Sequence, residues 1–497
     1  MKLNFNVYKD KVYACWVGKN VGGTMGAPFE GQREVLDVKG YTTDPGEPLP
    51  NDDLDLQLIW LHAMECEGPY ALDCKKLGEY WMTYVSPFWN EYGIGKTNMK
   101  HGLLPPLSGD YENTWKHSNG AWIRTEIWAS MAPGCPEIAA KYAIEDAVVD
   151  HGAGEGTFAA AFVAAMQATA FVQSDIRKCI NVALSKIPAD CRVGNTVRKI
   201  LECYDNGVSW LDCRNTVLEM NADIGTGWFE APSNVGYTVL GLIYGEGDFK
   251  KSMLTAINCG DDTDCTGATV GATLGILGGS AAIPADWQAF IGDRIITMSH
   301  SEGIVRTLPN TCTKLTERVV KMAPVVLQAN NADVELTAGN NEIPEDAVPD
   351  LGAKSAIWQR LCSLTPYQFT IDAGLFAVRV TYDRAPDIAP GEELGVTLRL
   401  LHPVQSREKR NYAAFGNVPY SLNLRWWLPE GFTVEGKRSV FLYHHTSRDG
   451  YPGRVPYHDI HCVIRAGERV EAVNRLVLEV MADGRPTAAY VPLVLMG

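Results

Sequence analysis

Residues 258–279 read NCGDDTDCTGATVGATLGILGG: three aspartates within four positions, then fifteen residues, Cys265–Gly279, without a charge. Gly267, Gly271 and Gly275 recur at every fourth position of that run. Residues 17–31, VGKNVGGTMGAPFEG, repeat the spacing at Gly18, Gly22 and Gly26. Glycine costs about 1 kcal/mol per helix position against alanine, so two such stripes predict helix faces whose backbones approach closely. Gly26, two residues before Pro28, suits a loop as well. Residues 50–67, PNDDLDLQLIWLHAMECE, form a second acidic cluster, Asn51, Asp52, Asp53 and Asp55, directly ahead of an apolar helix. One acid at a helix start is an N-cap or a dipole partner worth about 0.3–1 kcal/mol. Three crowded carboxylates repel one another, so either their protons are held or a cation sits among them. Oxygen donors of this kind select Mg²⁺, Ca²⁺ or Mn²⁺ over softer metals.

The chain has 497 residues, more than one ordinary core holds, at a globular composition of 46% hydrophobic and 21% charged. Residues 1–330 read as helical. DAVVDHGAGEGTFAAAFVAAMQATAFV (146–172) is apolar nearly all round, as inside a bundle, whereas SDIRKCINVALSKI and DFKKSMLTAIN are amphipathic and open near cap residues. From residue 367 the period changes to short β-rich segments separated by Pro/Gly/Asp turns, including QFTIDAGLFAVRVTYD, EELGVTLRLLHP and RLVLEVMADG, a pattern that predicts a β-sandwich over 367–497. His444–His445 fall in one of these segments, and residues 331–366 read as a linker.

A formal charge of −15 argues against nucleic acid as a partner. Thirteen scattered cysteines without a CxxC fit neither a disulfide framework nor a zinc site. Lys9, Asp10 and Lys11 interrupt the N-terminal apolar residues, and the Gly/Thr-rich stretch 265–283 suits a buried helix better than a membrane span. A cytoplasmic protein is expected, although a leader already removed would leave no trace.

Taken in order, GKNVGGTMGAPFEG (18–31), NDDLDLQL (51–58), NGAWIRTEIWASMAPG (119–134), DHGAGEGTFAAAFVAAM (150–166), IGTGWFEAP (224–232) and GDDTDCTGA (260–268) resemble the motifs of the ADP-ribosylglycohydrolase family, of the dinitrogenase-reductase-activating glycohydrolase type. The resemblance covers residues 8–325 and implies an all-α catalytic domain. The sandwich lies beyond it and looks like the immunoglobulin-like accessory domains of bacterial glycosidases.

The resemblance also implies a binuclear Mg²⁺ site, with Mn²⁺ or Ca²⁺ as substitutes. Its first cluster falls on Asn51, Asp52 and Asp53 and its second on Asp262, Asp264 and Cys265, with Glu30 near metal and sugar. Two positions depart from the family pattern. Asn51 stands for a threonine but keeps an oxygen donor; Cys265 stands for another, and a thiol is a poor ligand for Mg²⁺, which leaves either Thr266 as the alternative donor or a weaker corner of the second site. Asp261 is expected as a further ligand or as a neighbour of the ligands.

The implied reaction is hydrolysis at the anomeric carbon of ADP-ribose or a related pentoside, with Glu30, Asp53 and Asp262 as the catalytic carboxylates. The alternatives are a glycosidase or nucleosidase acting on another furanoside, and a non-catalytic ribose- or nucleotide-binding protein. His151, Gly152 and Glu155 of the glycine-rich turn, with Trp228, are expected at the substrate. For Trp228 and Phe229 core packing is an equal reading, and Arg124 is expected to pair with Glu126 or Glu137 in preference to a phosphate.

Overall fold

The computed structural model describes residues 1–301, 307–344, 356–401, 420–442 and 457–497; His444–His445 lie outside them. It divides into two compact units, residues 1–96 with 112–364, and residues 97–111 with 365–497.

The first unit is helical. Its centre is the antiparallel pairing of the helices Phe5–Gly26 and Thr263–Gly278. A methyl group added at Gly18 would fall on the Gly271 carbonyl, one at Gly22 on Gly267, one at Gly26 on Thr263, and one at Gly275 on Ala14. The two stripes therefore face each other, and the glycines let two backbones touch along the whole contact. Gly26 is the last helical residue, and the short turn Ala27–Phe29 after it delivers Glu30.

Around this pair sit the Asp52–Ala71 helix, kinked where Gly68 takes a φ of 73° ahead of Pro69, and the Ala-rich helix Glu155–Ala170, most of whose residues are buried. Asp175 and Asp248 cap the helices of the two amphipathic segments through backbone amides. Residues 331–364 group with this unit: Glu335–Thr337 pairs in parallel with Lys2–Asn4, and Ala356–Cys362 is a short helix. No helix among the described residues is long and apolar enough to cross a membrane. No disulfide joins the cysteines of the described residues.

The second unit contains two antiparallel sheets. One runs in the order Ala488–Met496, Val473–Ala482, Tyr420–Trp427, Ser439–Leu442; the other runs Gln368–Asp372, Ala377–Tyr382, Glu393–Leu401, Tyr457–Arg465, Thr433–Glu435. Alternate residues point inward, and Val396, Leu398 and Leu400 of one sheet share an apolar cluster with Leu476, Leu478 and Val480 of the other. Leu103 and Leu107 are buried in the same cluster, which explains why residues 97–111 group with the β-rich unit.

Candidate metal centre

The two acidic clusters, some two hundred residues apart in sequence, meet at the N-terminal ends of two helices. Their side chains compose two triads that share Asp264: Glu30, Asp262 and Asp264, and Asp53, Asp264 and Cys265. Within each triad the possible ligand atoms lie within 4.8 Å of one another. Asp262 is the residue before the Thr263–Gly278 helix, but its carboxylate caps no amide of that helix. Its Oδ2 accepts instead from Asn119 Nδ2 at 2.6 Å. Asp262 Oδ1 and Asp264 Oδ1 are buried and have no hydrogen-bond partner. An unpaired buried carboxylate oxygen is costly, and two beside each other need either protons or a cation. Burial, with neighbouring carboxylates adding to it, pushes the Asp262 carboxyl up to about 8 and holds Asp264 well above the usual range. Glu30 is the exposed member; desolvation and then Asp52 raise its carboxyl. Three oxygen donors, two of them orphaned, suit a hard divalent cation.

The remaining acids of the two motifs are turned elsewhere. Asn51 caps the Asp52–Ala71 helix, its Oδ1 accepting from the Asp53 amide at 2.8 Å. Asp52 accepts from the Tyr92 hydroxyl at 2.9 Å and belongs to neither triad. Asp53 is fully buried; its Oδ2 lies 3.4 Å from Lys19 Nζ, and its Oδ1 accepts from the Cys265 thiol at 3.2 Å. Asp55 points away and takes the backbone amides of Met298 (2.5 Å) and Ser299 (2.6 Å). Asp261, at φ 68°, takes Asn234 Nδ2 at 3.1 Å and the Phe229 amide at 3.4 Å, so it ties the 224–230 loop to the centre.

Lys19 is the residue the sequence reading passed over. It lies in the glycine-striped helix, almost wholly buried, and its Nζ reaches the Ile123 carbonyl (2.7 Å), Glu126 (3.2 Å) and Asp53. Burial opposes its charge, but Glu126 and Asp53 outweigh that and raise its pKa above the ordinary lysine value. Glu126 is in turn held by Gln57 Nε2 (2.8 Å) and Gln167 Nε2 (3.0 Å). The signal in the sequence is a single lysine inside an otherwise uncharged run, residues 12–29. Asn119 and Tyr92 carried no comparable signal.

The residues of the glycine-rich turn are tied into the helical unit by hydrogen bonds. His151 is fully buried between Asp150 Oδ1 (2.8 Å) and Ser118 Oγ (3.2 Å). Gly152, at φ 48°, ends the Pro136–His151 helix. The Glu155 carboxylate accepts from the amides of Arg192 (2.9 Å) and Val193 (3.0 Å), closing the N-terminus of another helix. Arg124 is structural as expected, but its partners are Asp146 and Asp150, not Glu126 or Glu137. Those acids stand four residues apart on the Pro136–His151 helix, a long-range pairing that local sequence does not reveal. Trp228 is 43% exposed, and the Arg33 guanidinium lies 4.7 Å over its ring. Arg33 follows Glu30 by three residues, and the Gln32 carbonyl accepts from the Asp261 amide at 2.7 Å, so this pair stands beside the carboxylates.

The model of the ADP-ribosylglycohydrolase family matches residues 5–318. A solved structure described as an ADP-ribosylglycohydrolase-related protein complex is similar over 65% of this chain and 99% of its own, at 19% identity and a TM-score of 0.43. A FixG-related protein from Vibrio parahaemolyticus is similar over 25% of this chain and 97% of its own, at 13% identity and a TM-score of 0.18. Neither structural likeness is close enough to argue from. No curated protein matches the chain.

Proposed function

We propose, because the chain belongs to the ADP-ribosylglycohydrolase family, that it is a divalent-cation-dependent hydrolase of a glycosidic bond at the anomeric carbon of ADP-ribose or a related pentoside. The observation that carries this reading is the pair of buried, unpartnered oxygens, Asp262 Oδ1 and Asp264 Oδ1, converging with Glu30. Glu30, Asp262 and Asp264 would hold the ion, Mg²⁺ by preference for an all-oxygen set. When bound, a cation of this kind grips a vicinal diol and acidifies water.

The chain's own residues supply the rest. Asn119 fixes the Asp262 carboxylate through Oδ2, leaving its second oxygen buried and without a partner. Glu30, exposed and with a raised pKa, takes the proton of the attacking water as that oxygen bonds to the anomeric carbon; the electron pair of the glycosidic bond leaves with the aglycone, which takes a proton from solvent. Carboxylates around the sugar favour the positive charge of an oxocarbenium-like transition state. Asp53, held by Lys19 and by the Cys265 thiol, stays fixed beside them. Trp228, partly exposed, offers aromatic surface for a base or sugar ring, and Arg33 over its ring a guanidinium for phosphate.

The test is thermal stability of the purified chain with Mg²⁺ or EDTA, each with ADP-ribose or a simple pentoside. A ligand that binds only the native state raises the midpoint. Stabilisation by ADP-ribose that requires Mg²⁺ is the expected result. A shift with the pentoside alone would move the substrate to the other furanosides, and identical melting in Mg²⁺ and EDTA would sink the metal reading.

A further inference from the structure

We infer that this chain binds one divalent cation where its resemblance implies two, and that the buried ammonium of Lys19 supplies the positive charge of the second. The inference rests on the reading of Glu30, Asp262 and Asp264 as a cation site and concerns the other half of the cluster.

The two halves differ in whether their donor atoms are already used. Around Asp53 most of the oxygens that the family pattern offers to a metal have a described partner. Asp53 Oδ2 faces Lys19, Asp53 Oδ1 accepts from Cys265, Asn51 Oδ1 accepts from the Asp53 amide, and Asp52 Oδ2 accepts from Tyr92. Around Asp262 and Asp264 the reverse holds: both leave a buried oxygen with no partner. An orphaned buried acceptor marks where something is missing, and a satisfied one marks where nothing is needed. Asp264 stands in both triads, so the halves differ at Asp53, both of whose oxygens are engaged, and at Asp262, which leaves one buried oxygen without a partner.

Lys19 cannot be treated as a bystander that swings away when metal arrives. Its ammonium is almost fully enclosed and holds three acceptors on three separate segments, Ile123, Glu126 and Asp53. A divalent ion at Asp53 would lie beside this ammonium with little water between them, where like charges repel strongly. The ion would also have to take a thiol from Cys265 in place of an oxygen, a mismatch for Mg²⁺. Lysine at position 19 and cysteine at position 265 act in the same direction: one fills the charge and the other removes the donor. Lys19 is thus a positioning residue that keeps Asp53 fixed and electrically compensated without a metal.

The experiment counts ions. The metal-free protein is loaded with Mn²⁺, freed of excess, and examined by elemental analysis and electron paramagnetic resonance. One ion per chain with the spectrum of an isolated Mn²⁺ is expected; two ions with an exchange-coupled spectrum would overturn the inference. Zero ions would overturn the metal reading beneath it, a result distinguishable from both. Lys19→Met combined with Cys265→Thr frees Asp53 and restores an oxygen donor, and the count should rise from one to two. Lys19→Arg, which keeps the charge, should stay at one. A double variant that folds and still binds one ion would overturn the assignment to Lys19. Should that variant fail to fold, the wild-type count decides alone.

Discussion

Replacing Asp262 by asparagine should stabilise the metal-free protein and remove its response to metal. In the folded chain burial pushes the Asp262 carboxyl from its ordinary 3.8 up to about 8. The folded state therefore holds this proton more tightly than the unfolded chain. The contribution to stability is complete below pH 3.8, falls as pH rises, and is lost at about pH 8. At pH 7 the loss amounts to at most about 4 kcal/mol, from roughly 1.36 kcal/mol for each pH unit crossed. Asparagine carries no such penalty and can still accept from Asn119, so a gain of at least about 1 kcal/mol is expected in EDTA at pH 7. Metal acts oppositely. At a free Mg²⁺ concentration a hundredfold above Kd the wild type should gain about 2.7 kcal/mol, roughly 4 °C in midpoint for a unit of this size. Because the ion must displace the proton, that gain shrinks as pH falls below about 8. The assay is paired melting of wild type and Asp262→Asn at pH 5, 7 and 8.5, with Mg²⁺ and with EDTA. A variant no more stable than wild type in EDTA, or one that Mg²⁺ stabilises as much as wild type, would refute the reasoning.

Gly22→Ala places a methyl group on the Gly267 backbone and should cost at least about 2 kcal/mol by denaturant unfolding, because neither helix can yield without the other. Glu155→Ala should lose about 1–2 kcal/mol by leaving the amides of Arg192 and Val193 uncapped, with the Kd for ADP-ribose unchanged in calorimetry; a large change in Kd would return Glu155 to the substrate. Trp228→Ala should leave stability within about 0.5 kcal/mol while weakening ADP-ribose binding roughly fivefold, the value of about 1 kcal/mol for a stacked ring.

Much of this organisation is legible in the sequence, for physical reasons that particular residues show. Two glycine stripes at four-residue spacing are unfavourable as helix faces unless backbones meet there, and Gly18, Gly22, Gly267 and Gly271 do meet. The change of hydrophobic period near residue 367 marks the passage from helices to sheets, since alternation and helical spacing cannot serve the same element. Sequence cannot say which of several adjacent acids turns inward. Asp52, Asp53 and Asp55 occupy one helical turn, yet they reach Tyr92, Lys19 and the 298–299 backbone respectively. Asp261 and Asp262 are neighbours, and a left-handed backbone at Asp261 sends them in different directions. The partners of Arg124 and the burial of Leu103 and Leu107 with the β-rich unit depend on contacts between distant segments, which no local pattern encodes.

The most direct test of the metal centre is a crystal of the wild-type chain soaked in Mn²⁺ and measured at a wavelength where manganese scatters anomalously. The account predicts an anomalous peak among Glu30, Asp262 and Asp264, with oxygen ligands at about 2.0–2.2 Å and no second peak at Asp53. A protein free of bound manganese at those three carboxylates would contradict it.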